Sequence, residues 1–236
     1  MMDTLNTTGK YHFLSFFLII LLLAPGYSLA AVLAGNIKDV RGTAWAQTGD
    51  EPARKLEKGS PVYEKDVIRT ESESSVEILF KDDTRFLLGT DTEMSISEFI
   101  YGDTERENSF STRILKGTFR FITGLLAKNK PDAMEVNTSV ATIGIRGTHV
   151  GGQADATSST IILLEPENGT PGTSIQVSNT FGSVTIDEPG YGTEIPDEFS
   201  PPSPPRRMRM QTINNIMRSI QSIQRINTPR PRAGPY

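Results

Sequence analysis

The sequence predicts an all-β domain, a jelly roll or sandwich of short strands, followed by an amphipathic helix at the C-terminus. Apolar and polar residues alternate in short runs, as in residues 76–80, 94–97 and 184–186, and this period of two is typical of strands with one buried face. Clusters of Gly, Pro, Asn and Asp separate these runs, as turns do in β domains. Residues 35–194 show no sustained helical period. A β-solenoid remains the alternative architecture.

Residues 1–30 have the order of a secretory signal peptide. Lys10 precedes an apolar block over residues 13–24, Pro25 ends that block, and small residues surround the expected cleavage site after Ala30. A spanning helix needs about 20 apolar residues, so an uncleaved anchor is the less favoured alternative. We therefore expect an exported, periplasmic protein, with outer-membrane association or secretion as further options.

The composition excludes several classes of site and partner. The chain contains no cysteine, which rules out disulfides, thiolate zinc sites and a cysteine nucleophile. Residues 31–200 carry 16 Lys and Arg against 27 Asp and Glu, whereas residues 201–236 carry seven Arg and no acidic residue. An acidic body argues against nucleic acid as its partner, and no motif indicates a cofactor.

The basic C-terminal segment has its own organisation, so we divide the mature chain into a β domain over residues 31–200 and a tail over residues 201–236. Prolines at 201, 202, 204 and 205 predict an extended linker. Residues 208–226 then follow a helical period. The predicted partner-binding residues of this helix are Ile213, Ile216, Met217, Ile220 and Ile223 on its apolar side, with Arg218 and Arg225 on its polar side. A partner or the acidic β domain itself is favoured as the docking surface, and weak contact with a membrane surface is the alternative.

Six motifs occur in an order that resembles the FecR-domain family. They span residues 35–45, 56–62, 66–70, 75–89, 115–124 and 136–148, the last reading Val-Asn-Thr-Ser-Val-Ala-Thr-Ile-Gly-Ile-Arg-Gly-Thr. Asp83 stands at the usual glycine position of a hairpin turn, and Asp tolerates positive φ better than most residues. Ser139 replaces the usual proline of the last motif. The resemblance extends over about residues 35–150.

This resemblance implies a periplasmic sensing or binding domain. Signalling members of the family carry an anti-sigma segment and a transmembrane helix ahead of the domain, and neither is seen here, so the anti-sigma function is not transferred. The prediction is a non-enzymatic binding or signal-relay module of the bacterial cell envelope. A structural or adhesive protein that binds cell-wall or surface polysaccharide is the alternative, and a glycan hydrolase is the least favoured. The partner is then an envelope protein or a polysaccharide, and the oligomeric state is left open.

The candidate site is the end of the last motif, formed by Gly144, Arg146, Gly147 and Thr148. The planar guanidinium of Arg146 could bind a carboxylate or phosphate. It could also tie down backbone groups at a crowded strand end, with both glycines allowing close approach. The structural role is the favoured interpretation.

Three other features have a functional and a structural interpretation. His149 is the only histidine after residue 12 and is interpreted as a polar loop residue, because no nucleophile or zinc ligand set accompanies it. Asp82, Asp83, Asp91 and Glu93 lack the spacing of a calcium loop and are interpreted as part of a solvated hairpin turn. Trp45 could stack on a sugar, but the structural interpretation places it in the core.

Overall fold

The computed structural model describes residues 31–102, 106–147, 149–166 and 173–221. The predicted signal peptide, residues 1–30, lies outside these ranges. Within them the chain forms seventeen strands, whose hydrogen-bonded pairings divide into two sheets that share one long strand.

Sheet I begins at an edge strand, β4, and runs through β1, β6, β7, the second half of β9, β12, β13 and β16 to β17, all antiparallel. Its strands are β1 (Leu33–Arg41), β4 (Pro61–Tyr63), β6 (Ser75–Phe80), β7 (Arg85–Leu88), β9 (Ser109–Ile122), β12 (His149–Ala154), β13 (Ser159–Leu163), β16 (Tyr191–Ile195) and β17 (Arg206–Arg207).

Sheet II runs in the order β3, β2, β5, β8, the first half of β9, β10, β11, β14 and β15, and only the β9–β10 pair is parallel. Its remaining strands are β2 (Ala44–Thr48), β3 (Arg54–Lys55), β5 (Asp66–Thr70), β8 (Glu93–Ile100), β10 (Met134–Asn137), β11 (Thr142–Arg146), β14 (Ser174–Asn179) and β15 (Gly182–Ile186). A short helix, α1 (Leu125–Asn129), and a 3-10 helix, Pro131–Ala133, connect β9 to β10.

The long strand β9 changes sheets at Gly117. Residues up to Lys116 pair with β8, whereas those from Gly117 onward pair with β12. Gly117 has a φ of +99°, and a Cβ there would lie 2.2 Å from the hydroxyl oxygen of Thr92. This position therefore requires glycine on both conformational and steric grounds, and it lets one strand serve both layers.

The core lies between the two sheets and is dominated by phenylalanine. Phe80 of sheet I contacts Phe110 of sheet II with ring centroids 4.6 Å apart, and Phe86 stacks on Phe121 at 4.9 Å. All four rings are at most 1% exposed. The alternation read from the sequence supplies these side chains, since Phe119 and Phe121 both point inward from β9.

The second helix, α2 (Met210–Gln221), packs on the outer face of sheet I. Ile216 and Ile220 are each 4% exposed and cluster with Ile162, Leu164 and Met208. The hydroxyl groups of Ser219 and Thr118 are hydrogen-bonded at 2.5 Å. The helix therefore covers part of the outer face of sheet I, around β9, β12 and β13.

The fold confirms a mostly β architecture with a C-terminal helix. Asp83 adopts a φ of +66°, as expected for the residue that replaces glycine in the β6–β7 turn. The predicted linker instead lies along β16, because Ser203 donates its backbone N–H to the Glu194 carbonyl and accepts a hydrogen bond from the Glu194 N–H. The division at residue 200 stays a prediction.

Candidate functional site

The end of the last motif lies on the outer face of sheet II. Ile143 and Ile145 point into the core, so alternation along β11 turns Thr142, Gly144 and Arg146 outward. Strand pairing places Gly144 beside Glu135 of β10 on one side and Gln176 of β14 on the other. Segments far apart in sequence thus meet around one glycine.

These neighbours form a groove with a volume of about 440 Å³. Gly144 lies at its floor, since it has no side chain to fill the space between Thr142 and Arg146. The 3-10 helix contributes Asp132, and β15 contributes Thr185 from the position opposite Gln176. The other lining residues are Pro131, Met134, Glu135, Ile145, Ser174 and Ile175.

The exposed lining is more polar than apolar. Met134, Ile145 and Ile175 are each at most 2% exposed, so a molecule in the groove meets chiefly carboxylate, amide, hydroxyl and guanidinium groups. Glu135 accepts a hydrogen bond from the Asn137 amide at 2.6 Å. The groove therefore offers donors and acceptors of both charges on a rigid sheet.

Arg146 is not the packed structural residue that the sequence suggested. It is exposed at the last position of β11, and within the described residues no hydrogen bond or ion pair engages its guanidinium. The physical reason is alternation: Ile143 and Ile145 occupy the inward positions of β11, so Arg146, which follows Ile145, points to solvent. Arg146 is thus available to a ligand.

The two glycines of the motif differ. Gly147 has a φ of +54°, a backbone conformation that favours glycine. Gly144 has no positive φ, and a Cβ there would meet its nearest neighbour, the Gln176 carbonyl oxygen, at an ordinary 3.7 Å. The expected close backbone approach at Gly144 is therefore wrong. Thr148 lies outside the described residues.

Residues 66–166 match the family model described as FecR protein. The chain contains a FecR domain. The matched segment begins at the first residue of β5 and includes β9, the groove strand β11 and all of β12 and β13. The groove around Gly144 is therefore formed largely by the FecR domain, and β14 and β15, which follow the matched segment, supply its remaining residues.

Two solved structures of one protein resemble this chain. Both are of a candidate anti-sigma factor from Parabacteroides distasonis, solved at 2.50 Å and 1.65 Å resolution. Each is 12% identical in sequence, with TM-scores of 0.49 and 0.47, and each match covers 64% of this chain and 64% of the solved chain. The chain thus spans slightly less than two thirds of that protein's length. No curated protein matches the sequence.

His149 is buried in sheet I, which corrects its interpretation as a polar loop residue. It is 7% exposed at the first position of β12, and its Nε2 lies 2.5 Å from Nε of Arg120. Because a guanidinium nitrogen only donates, Nε2 accepts and Nδ1 carries the proton that is donated to the Glu165 carbonyl at 2.6 Å. These contacts fix the ring between β9 and the segment after β13.

The acidic residues of the β6–β8 region do not converge on a cation site. The carboxylate of Asp82 is fully buried and accepts hydrogen bonds from the N–H and hydroxyl of Thr84, so this part of the turn is not solvated as expected. Glu93 pairs with Arg69 at 3.2 Å on the outer face of sheet II. Among the residues that the structure describes, no group of three or more acidic or histidine side chains could hold a metal ion.

Trp45 faces solvent rather than the core. Ala44 and Ala46 are fully buried and occupy the inward positions of β2, which leaves the indole on the outer face of sheet II. Its Nε1–H donates to the Glu71 carboxylate at 2.8 Å. The core interpretation was wrong because small residues, rather than the tryptophan, fill the inward positions.

The predicted partner-binding helix is occupied by its own domain. Ile216 and Ile220 are buried against sheet I, Ile213 and Met217 pack beside them, and Arg218 is exposed. The apolar side is therefore not free for another molecule in this structure. Ile223 and Arg225 lie outside the described residues. In the part of the chain that is described, no helix is long and apolar enough to cross a membrane.

Sequence reasoning missed the groove residues that lie outside β11. Asp132, Glu135, Gln176 and Thr185 each occur in an ordinary polar position of a strand or turn. Strand pairing brings the last three to Gly144, and no local sequence pattern predicts the pairing of Gly144 with Gln176, 32 positions later. The one available signal was the glycine itself, in the middle of an otherwise β-branched strand.

A second, shallower groove of about 270 Å³ continues along the same face. It shares Thr142 with the first groove and reaches Asn179 and Glu198 near the end of the sandwich. There, hydrogen bonds from the Ser200 hydroxyl and then from the Phe199 N–H lower the pKa of the Asp197 carboxyl below its ordinary value. These bonds fix the loop that bounds this end of sheet II.

Proposed function

We propose that this protein is a non-enzymatic binding module of the bacterial cell envelope, exported to the periplasm, that receives or relays a signal through the outer face of sheet II. The FecR domain supports the envelope setting. The observation that carries the proposal is the contrast between the two outer faces. Helix α2 packs on the part of sheet I around β9, β12 and β13 and leaves one groove of about 210 Å³ beside it, whereas the outer face of sheet II carries the two larger grooves.

The uncovered face is organised for recognition. One row across it consists of Glu135, Gly144, Gln176 and Thr185, which three antiparallel strand pairings place side by side. A sheet holds such side chains at fixed spacings, so ordering them on binding costs little conformational entropy. Polar side chains without apolar anchors suit a polar ligand or a transient contact.

Binding of an envelope glycan is the second candidate. It is favoured by the hydroxyl, amide and carboxylate lining of the Gly144 groove and by the outward-facing indole of Trp45 on the same sheet. An indole face is a common platform for sugar rings because it is apolar and flat. Both candidates place the binding surface on sheet II.

Photo-crosslinking tests the proposed face. A photoreactive amino acid is placed at Gln176 of sheet II and, as a matched control, at Gln153, an exposed glutamine on the outer face of sheet I. We expect adducts in the bacterial envelope from position 176 and few from position 153. Protease-sensitive adducts would favour relay to a protein, and muramidase-sensitive adducts would favour a glycan. Equal adduct yields at both positions, or none at position 176, would refute the assignment of the face.

Export is tested separately. Cell fractionation with intact-mass measurement should find the chain in the periplasm with its N-terminus near Ala31. A cytoplasmic chain that retains residues 1–30 would contradict the envelope setting.

A further inference from the structure

We propose that the Gly144 groove binds a sugar that carries one carboxylate. This inference rests on the proposed binding role of sheet II and names the ligand class for it. It starts from a glycine that the fold does not need: the backbone at Gly144 is ordinary, and a Cβ would have 3.7 Å of room. Glycine in a strand is unfavourable without such a need.

The space beside Gly144 contributes nothing to the packing of the protein, so we look for its role in binding another molecule. Thr142 and Arg146 project on either side of it, Glu135 and Gln176 flank it, and the resulting groove of about 440 Å³ lies within the range of small-molecule sites, about 300–1,000 Å³. Any larger side chain at position 144 would project into this groove. We therefore infer that Gly144 keeps the floor clear for a ligand.

Arg146 sets the charge of that ligand. Its guanidinium is exposed, lines the groove and has no hydrogen bond or ion pair with the described residues. A planar guanidinium binds a carboxylate through two parallel hydrogen bonds. The groove thus has a ready site for one carboxylate.

The other charged groups limit the ligand to a single negative charge. Asp132 and Glu135 line the groove beside Arg146, and carboxylates only accept hydrogen bonds. A ligand with several negative charges would be repelled by them. Hydroxyl groups, which donate, would satisfy these acceptors.

The remaining lining favours a sugar over a peptide. Gln176, Thr142, Thr185 and Ser174 offer further donors and acceptors at short spacings, whereas the apolar residues of the lining, other than Pro131, are nearly inaccessible. A peptide side chain would find no apolar pocket to anchor it. A ring with many hydroxyls can use each of these groups.

An acidic sugar can come from the cell wall, as a muramic acid from which the stem peptide has been removed, or from a surface polysaccharide, as a uronic acid. Two matched pairs of probes separate these sources. N-acetylmuramic acid is compared with N-acetylglucosamine, and glucuronate with glucose, because the members of each pair differ in the carboxylate-bearing group. Binding is followed by amide chemical shifts of the mature chain, residues 31–236.

We expect an acidic probe to shift the amide signals of Gly144 and Gln176 and to bind at least about tenfold more tightly than its neutral partner. Arg146→Ala should remove this preference, while Arg218→Ala, which removes an exposed arginine from α2, should leave it unchanged. Gly144→Tyr should abolish binding without lowering the melting temperature. The pair that shows the preference identifies the source.

Equal affinity for acidic and neutral probes, shifts confined to other residues, or full binding by Arg146→Ala would overturn the inference. If no sugar binds but position 176 still forms envelope adducts, the acidic-sugar assignment fails and the proposed binding face stands. If neither occurs, both fail. Unfolding of the Gly144→Tyr variant would contradict the claim that the fold does not need this glycine, and Arg146→Ala would still test the ligand charge.

Discussion

The Asp66 carboxylate should be among the most sensitive points of the fold. Asp66 is fully buried at the start of β5, where the FecR domain begins. Its carboxylate accepts hydrogen bonds from the Thr48 hydroxyl at 2.5 Å and the Tyr63 N–H at 2.8 Å. Both terminal nitrogens of Arg54 also donate to it, one at 3.0 Å. It thereby joins β2, β3, β4 and β5 at one point.

Asp66→Asn keeps the shape of the side chain but removes its charge. Breaking a buried ion pair from one side costs about 3–5 kcal/mol, because the remaining charge loses its partner. Arg54 is 31% exposed and keeps some hydration, so we expect the lower end, about 3 kcal/mol. For a domain of this size that corresponds to a melting temperature about 6–12 °C lower.

The matched control is Glu93→Gln, which neutralises the more exposed pair between Arg69 and Glu93 on the same sheet. Exposed pairs contribute about 0–1 kcal/mol, so its melting temperature should fall by less than about 4 °C. Both variants are compared by calorimetry and by urea unfolding at neutral pH. Equal losses of unfolding free energy in the two variants would refute the reasoning that the burial of an ion pair determines how much its removal destabilises the domain.

Three other changes test separate parts of the structure. Gly117→Ala should cost about 2–4 kcal/mol in urea unfolding, since it adds left-handed strain and a contact with Thr92; a loss under about 1 kcal/mol would show that β9 does not need this bend. Ile220→Asp should detach α2 and speed hydrogen exchange along it while the sheets stay folded, and unchanged exchange would contradict the docking. Asp197 has a lowered pKa, so its contribution to stability is present above its ordinary value of 3.8 and is lost as pH falls through the lower folded value. Asp197→Asn should therefore flatten the acid dependence of the Phe199 amide signal, and an unaltered profile would show that the Asp197 carboxylate does not cause that dependence.

Much of the fold could be predicted because its signals are local. Alternation identified the strands around Ile78, Ile96 and Phe121, and the turn at Asp83 took the positive φ that its position in the motif implied. The C-terminal helix was likewise visible as a period of apolar residues. These patterns depend on neighbours two to four positions away, which the sequence shows directly.

The errors arose where the outcome depended on which face of a strand meets the core. Trp45 and His149 were each assigned the environment most common for their residue type, whereas Arg146 was assigned a structural role because glycines and isoleucines surround it. The structure placed the tryptophan and the arginine outside and buried the histidine beside Arg120. Residue type alone does not determine these positions, because a strand's inward face is set by its partners.

The sequence by itself determined that the chain is mostly β, that it carries the FecR motifs and that a helix follows the domain, because each depends on local order along the chain. Only the tertiary structure decided that α2 packs on part of sheet I and that Gly144, Glu135, Gln176 and Arg146 share one groove on sheet II. Those arrangements depend on pairings between strands far apart in sequence, whose register is fixed by burying the whole apolar set at once.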